Sequence, residues 1–218
     1  MIDLHTHSIL SDGELIPSEL VRRVEVMGYR VVALTDHADS SNLDFIIPRI
    51  IKVAEDLNRV QPVKVIPGVE LTHIPPAVMG AMVKKSRELG AALVIVHGET
   101  IVEPVAPGTN RAALEADADI LAHPGLITPE EAALAADKGV FLEISGRPGH
   151  AFANGHVAGL AVDMGARLVL NSDSHSPDDL MTMDFARKIV EGAGLHKGSM
   201  EKLLSNSRDL LKKIGYPL

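Results

Sequence analysis

The sequence predicts an α/β fold, a single domain of seven successive βα units whose parallel strands close into a TIM-like barrel. Short apolar, β-rich runs alternate with amphipathic stretches from one end of the 218-residue chain to the other, the pattern of repeated βα units. Aromatic residues make up only 3% of the chain and Trp is absent, against a hydrophobic fraction of 46%. The core is therefore expected to consist of Ala, Val, Ile and Leu, which suits a parallel sheet covered by helices. No change of composition marks a boundary between domains, and the length is enough for one substantial core.

In chain order, strands are expected over residues 2–6, 31–35, 63–69, 92–96, 119–122, 140–144 and 167–171. Pro17-Ser18-Glu19 opens a helix that Gly28 closes, and Pro129-Glu130-Glu131 opens one that Gly139 closes, with Pro near the first turn and Gly just past the last. A longer helix is expected over 43–60. The segment 199–214 sets Leu203, Leu210, Leu211 and Ile214 on one face and leaves Lys202, Arg208, Lys212 and Lys213 as a solvated one. The stretches 98–108 and 145–154 exceed the usual βα connection, as lids and substrate-contacting loops do.

Composition excludes several chemistries. With no Cys there is no disulfide, thiolate metal site or Cys nucleophile, so any metal is bound by nitrogen and oxygen. The net charge of -8 argues against a stable nucleic-acid complex, which needs a basic footprint. It does not exclude an anionic substrate, because bound cations dominate the charge of a site that holds them. The chain starts on the strand-like Ile2-Asp3-Leu4-His5 and contains no run of about 18 apolar residues. The expectation is a soluble, cytoplasmic protein without a membrane partner.

The chemistry is carried by histidines and acids at strand ends. His5 and His7 end the first strand, His37 the second, His97 the fourth and His123 the fifth, while His175 follows the seventh. Acids hold matching places: Asp12 after the first strand, Glu70 at the end of the third and Asp173 beside His175. In a parallel barrel all strand C-termini meet on one face, so these nine residues are expected to converge as metal ligands. Residues at i and i+2 of a strand point the same way, which lets His5 and His7 face one ion. Asp3 shares that face and is expected to orient a ligand histidine. Asp12 also reads as part of an ordinary Ser11-Asp12-Gly13 turn.

Other residues have two readings each. Glu143 either supports a ligand or anchors structure. Arg147, on a Gly/Pro loop, either grips phosphate bidentately or is a surface arginine. His150 is a candidate for the reaction itself, Asn154 for a helix N-cap and His73 for a substrate contact, whereas His196 is expected on the surface.

With these residues placed, the sequence resembles the PHP (polymerase and histidinol phosphatase) superfamily. Asp3-Leu4-His5-Thr6-His7 with Ser11-Asp12-Gly13 is similar to its first motif. Thr35-Asp36-His37, Pro67-Gly68-Val69-Glu70, His97, Ala122-His123-Pro124 and Ser172-Asp173-Ser174-His175 follow in family order. The resemblance implies a distorted (β/α)7 barrel with two or three divalent transition metals (Zn, Mn or Fe). It implies that His5, His7, Glu70 and Asp173 hold one metal, that Glu70 bridges to a second held with His97 and His123, and that Asp12, His37 and His175 hold a third. Some members carry His where Asp12 stands. The loop Gly146-Arg147-Pro148-Gly149-His150 with Asn154-Gly155-His156 looks like that of compact histidinol-phosphatase-like proteins rather than polymerase-attached ones.

The expected function is hydrolysis of a small phosphorylated substrate, a phosphomonoester, by a hydroxide bridging two metals. Arg147 would neutralise phosphoryl charge and either His150 or a metal-bound water would protonate the leaving group. The alternatives are a phosphodiesterase or oligonucleotide exonuclease with the same ligands, and a non-catalytic metal-binding module.

Overall fold

Eight strands run parallel in the computed structural model, which describes residues 1–218. They are β1 (Ile2–Asp3), β2 (Val31–Leu34), β3 (His37–Ala38), β4 (Lys64–Leu71), β5 (Leu93–His97), β6 (Ile120–Ala122), β7 (Phe141–Ser145) and β8 (Leu168–Asn171). Neighbours follow chain order, β1-β2-β4-β5-β6-β7-β8, and β3 pairs with the far end of β4. β2 and β3 are thus one strand position interrupted at Thr35-Asp36, and the seven expected positions hold eight strands.

The helices are α1 (Pro17–Val26), α2 (Leu43–Asn58), α3 (Met79–Glu88), α4 (Thr109–Glu115), α5 (Pro129–Lys138), α6 (Asn154–Met164), α7 (Met183–Gly192) and α8 (Ser199–Lys213). Those read from start and stop residues lie where expected. α5 has a full capping box between Thr128 and Glu131 and ends on Gly139 at φ 66°, a left-handed position where Gly costs least. No helix is long and apolar enough to cross a membrane.

Strand side chains divide into two cores. Val31 and Ala33 of β2 join Ile2, Leu4, Ile66, Ile95 and Val169 inside the barrel, where Leu210 and Leu211 of α8 also pack. Val32 and Leu34 point outward into the larger layer between strands and helices. Both faces of each strand are buried, so the strands read as continuous apolar runs. The lysines and arginine of α8 named above are exposed.

The barrel closes between β1 and β8 largely through side chains. Leu4 N donates to Asn171 Oδ1 (2.9 Å) and Ser172 N to Asp3 Oδ1 (3.1 Å). Beyond them Asp173 N donates to the His5 carbonyl (3.0 Å) and His7 N to the Ser174 carbonyl (2.9 Å). This seam shortens β1 relative to the expected 2–6. It also corrects the reading of Asp3, whose carboxylate accepts from the backbone of His5 and Ser172 and touches no histidine ring. Burial pushes its pKa up to about 6. Asn154 is corrected as well: it is the first residue of α6, makes no cap, and instead bonds Ser145 N (3.0 Å) and Ser145 O (2.9 Å).

Candidate metal centre

The nine histidines and acids expected from the sequence lie together at the C-terminal ends of the strands. His5 and His7, two residues apart past β1, have ring centroids 5.0 Å from each other. His7 is 4.1 Å from both His37 and His175, and His97 is 4.4 Å from His123. Gly98 permits that last approach, since a Cβ there would lie 2.4 Å from the Ala122 carbonyl oxygen.

Glu70, fully buried at the end of β4, is central. Its carboxylate lies 3.2 Å from His5 Nε2, 3.5 Å from His7 Nε2, 2.8 Å from His37 Nδ1 and 3.6 Å from His123 Nε2. Asp173 approaches His7 Nε2 at 3.2 Å and His123 Nε2 at 3.7 Å. Asp12 lies 3.5 Å from His37 Nε2 and 3.3 Å from His175 Nε2. Asp173 and His123 have φ of 54° and 29°, left-handed conformations that cost a non-glycine residue free energy and concentrate at functional sites.

Two of the candidate ligand rings have a partner on the far nitrogen. His5 Nδ1 lies 2.8 Å from Glu143 Oε2, an atom that also accepts from Asn171 (2.8 Å). Glu143 is therefore placed to orient His5, the supporting role that was one of its two sequence readings and that the sequence reading also offered to Asp3. His175 Nδ1 lies 3.0 Å from the Asp173 carbonyl. Asp36 accepts from the backbone amides of Ser8 (2.8 Å) and Ser11 (3.0 Å) and from both hydroxyls. It thereby shapes the loop that carries Asp12, which the turn motif alone does not reveal.

Despite these close approaches, several buried atoms make no well-formed hydrogen bond: Nε2 of His5, both ring nitrogens of His7, both oxygens of Glu70, and Asp173 Oδ1. An orphaned buried polar atom costs about 1 to 3 kcal/mol, and so many in one place fit a site built to hold cations. Four groups of donor atoms, each within 4.8 Å of one another, could hold ions: His5-His7-Glu70, His5-His123-Asp173, His97-His123-His150 and His7-Asp12-His37-His175. The donor set fits divalent metals.

Electrostatics agree with that need. Burial disfavours charge on His5, yet the carboxylates of Glu143, Glu70 and Asp173 together hold its pKa well above the ordinary imidazole value. For His7, burial and the neighbouring His37 act together and push the pKa well below it. Burial opposes ionisation of Glu70, but His5 and His37 hold its pKa well below the carboxylate range. His150 is lowered to about 3 by burial and by His123.

Asp12, His37, His97, His123, Asp173 and His175 border a cavity of about 370 Å³ whose lining includes no hydrophobic side chain, and His5, His7 and Glu70 lie buried against these residues. Arg147 reaches into it, donating to the Asp173 carbonyl (3.2 Å) and lying against the His175 ring. It is half-buried in the site, not a free surface arginine. His73 and His150 also line the cavity. His156 does not, and bonds the Ile127 carbonyl (2.7 Å); His196 is exposed and takes a bond from Gly198 N (3.1 Å). Glu103 was missed as a site residue, though its carboxylate lies 3.1 Å from His97 and 3.4 Å from His150. The only signal for it is an acid within the long loop after a strand-end histidine.

The sequence matches the family model for the PHP domain over residues 3–152. The chain belongs to the PHP domain family. This PHP chain is 47% identical over 215 residues to an uncharacterized protein of Methanocaldococcus jannaschii, covering 97% of itself and 99% of that protein. A 42-residue stretch is 50% identical to a 5'-3' exoribonuclease of Haemophilus influenzae, covering 19% of this chain and 15% of that one. Among solved structures, histidinol phosphate phosphatase of Lactococcus lactis, in complex with zinc, L-histidinol and phosphate, superposes with a TM-score of 0.59 at 19% identity. That match covers 89% of this chain and 94% of the phosphatase, and shows a shared fold.

Proposed function

We propose that this PHP chain is a metal-dependent phosphoesterase acting on small phosphomonoesters. One observation carries the reading: a polar cavity entered by a guanidinium is lined by Asp173 and adjoins the buried donor atoms of His5, His7 and Glu70, which make no well-formed hydrogen bond. The donors suit cations and the guanidinium suits an anion, so the cavity is fitted to bring a phosphoryl group onto metal. Imidazole and carboxylate without thiolate suit Zn²⁺, Mn²⁺ or Fe²⁺ better than Ca²⁺ or Mg²⁺ alone.

His5, His7, Glu70 and Asp173 would hold one ion, Glu70 with His97 and His123 a second, and Asp12, His37 and His175 a third. When bound, such ions polarise phosphoryl oxygens and lower the pKa of water to near neutrality. The protein's own residues do the rest. Glu143 fixes the tautomer of His5, so that Nε2 is the nitrogen offered. Arg147 neutralises charge on the phosphoryl oxygens as it grows, an electrostatic contribution that usually dominates such catalysis. The site needs no covalent phospho-enzyme. Burial and the neighbouring His123 lower the His150 pKa to about 3, so His150 carries no extra proton to donate at neutral pH, which favours water as the leaving group's proton source.

A phosphodiester substrate is the second reading, supported by the short stretch shared with the exoribonuclease. The net charge of -8 weighs against an extended nucleic-acid track. The test is one metal-loaded preparation assayed against phosphomonoesters, linear and cyclic diesters, and amides. Monoesters should be hydrolysed fastest and amides not at all. Faster diester hydrolysis would replace the first reading with the second, and bound metal without turnover would indicate a binding module.

A further inference from the structure

The loop between β5 and α4 carries a carboxylate that the family resemblance gives no role. Glu103 Oε2 lies 3.1 Å from His97 Nε2 and Glu103 Oε1 lies 3.4 Å from His150 Nε2. His97, His123 and His150 each offer a ring nitrogen within 4.8 Å of the others'.

The outer nitrogens of two of these rings are already engaged. His97 Nδ1 lies 3.2 Å from the Gly98 carbonyl and His150 Nδ1 lies 2.7 Å from Thr100 Oγ1. A carbonyl only accepts, so His97 carries its proton on Nδ1 and turns a lone pair on Nε2 toward Glu103. Thr100 can accept from His150 in the same way. Two imidazole nitrogens and a carboxylate that converge in this way offer three lone pairs to one point, and a cation there would satisfy all three.

The loop is built to deliver this carboxylate. Glu99 Oε1 accepts from Gly108 N (3.0 Å) and Asn110 N (2.9 Å), while Asn110 Oδ1 accepts from Glu99 N (2.9 Å). Asn110 Nδ2 ties this base to the Pro124 carbonyl (2.9 Å), next to His123. With both feet of the loop fixed, Thr100 aims His150 and Glu103 faces it, so one segment supplies a ligand and orients another.

The geometry points to a metal position made of His97, His123, His150 and Glu103, with Glu103 the ligand delivered by the 98–108 loop. This deepens the metal-dependent reading and rests on it. Three imidazoles and one carboxylate form a nitrogen-rich set, which favours Zn²⁺ over Mn²⁺ at this position. This is the second position proposed above with His150 and Glu103 added to His97 and His123; Glu70, 3.6 Å from His123 Nε2, would be shared between it and the neighbouring ion.

The test uses the full chain, stripped with chelator, with Zn²⁺ titrated back in competition with a chromophoric chelator and Co²⁺ substitution read by its visible absorption. Glu103→Gln should weaken one equivalent by at least about 10-fold and change one Co²⁺ spectrum, leaving the other equivalents as in the parent. Thr100→Val, which removes only the orienting hydroxyl, should weaken the same equivalent less. If Glu103→Gln keeps every parental affinity and spectrum, the ligand assignment is overturned while the metal-dependent reading stands. A parent chain that binds no Zn²⁺ or Co²⁺ overturns both.

Discussion

His5 turns Nε2 toward Glu70 because Glu143, 138 positions away in the chain, occupies Nδ1 at 2.8 Å. Such a contact tunes affinity without touching the metal, so Glu143→Gln should weaken metal binding about 10- to 100-fold with the fold intact. Chelator competition would measure it, and parental affinity would reduce Glu143 to a structural anchor. Arg147 should separate from the ligands in the opposite way. Arg147→Ala should keep the full metal complement yet lose about 2 to 4 kcal/mol in kcat/KM toward a phosphomonoester. Turnover equal to the parent would remove the phosphate-gripping role. At this scale the strand-end histidines and acids were legible because strand ends must converge in a parallel barrel. Glu143 was legible only as one of two readings, and Asp36 and Glu103 were not, because their roles depend on contacts between distant segments that no local pattern encodes.

Among the elements, strand positions and the proline-opened helices could be read directly, since apolar runs and end signals are local. The seam between β1 and β8 could not, because Asp3 and Asn171 replace ladder bonds with side chains. The start of α6 was read, with the wrong role for its first residue, for a related reason. Its first residue, Asn154, looks like a cap, but its amide is spent on Ser145 at the end of β7. Those two bonds fix the start of the loop that carries Arg147. Asn154→Leu should leave buried backbone groups of Ser145 unpaired and cost about 2 to 4 kcal/mol in chemical denaturation. A loss under about 0.5 kcal/mol would mean that water takes over both bonds.

For the molecule as a whole, the barrel gathers the nine candidate ligand side chains, six of them around a cavity without apolar lining and His5, His7 and Glu70 buried against those six, with their charges and lone pairs facing one another. Bound ions would therefore stabilise the folded state as well as serve the reaction, by about 4 kcal/mol at free metal about 1,000-fold above Kd. Chelation should lower the midpoint of thermal unfolding, and re-addition of Zn²⁺ or Mn²⁺ should restore it. The fold class was readable from periodicity, and the clustering of the site from barrel topology. The substrate was not, since it depends on how the 98–108 and 145–154 loops shape the cavity.

The most direct test of the central claim is phosphate release from a phosphomonoester, followed while Zn²⁺ or Mn²⁺ is titrated into chelator-stripped protein. Release should be absent at the start, rise with added equivalents and level off at two or three ions per chain. Glu70→Ala should neither bind those ions tightly nor release phosphate. Release at full rate from stripped protein, or from Glu70→Ala, would contradict a metal cluster organised around Glu70.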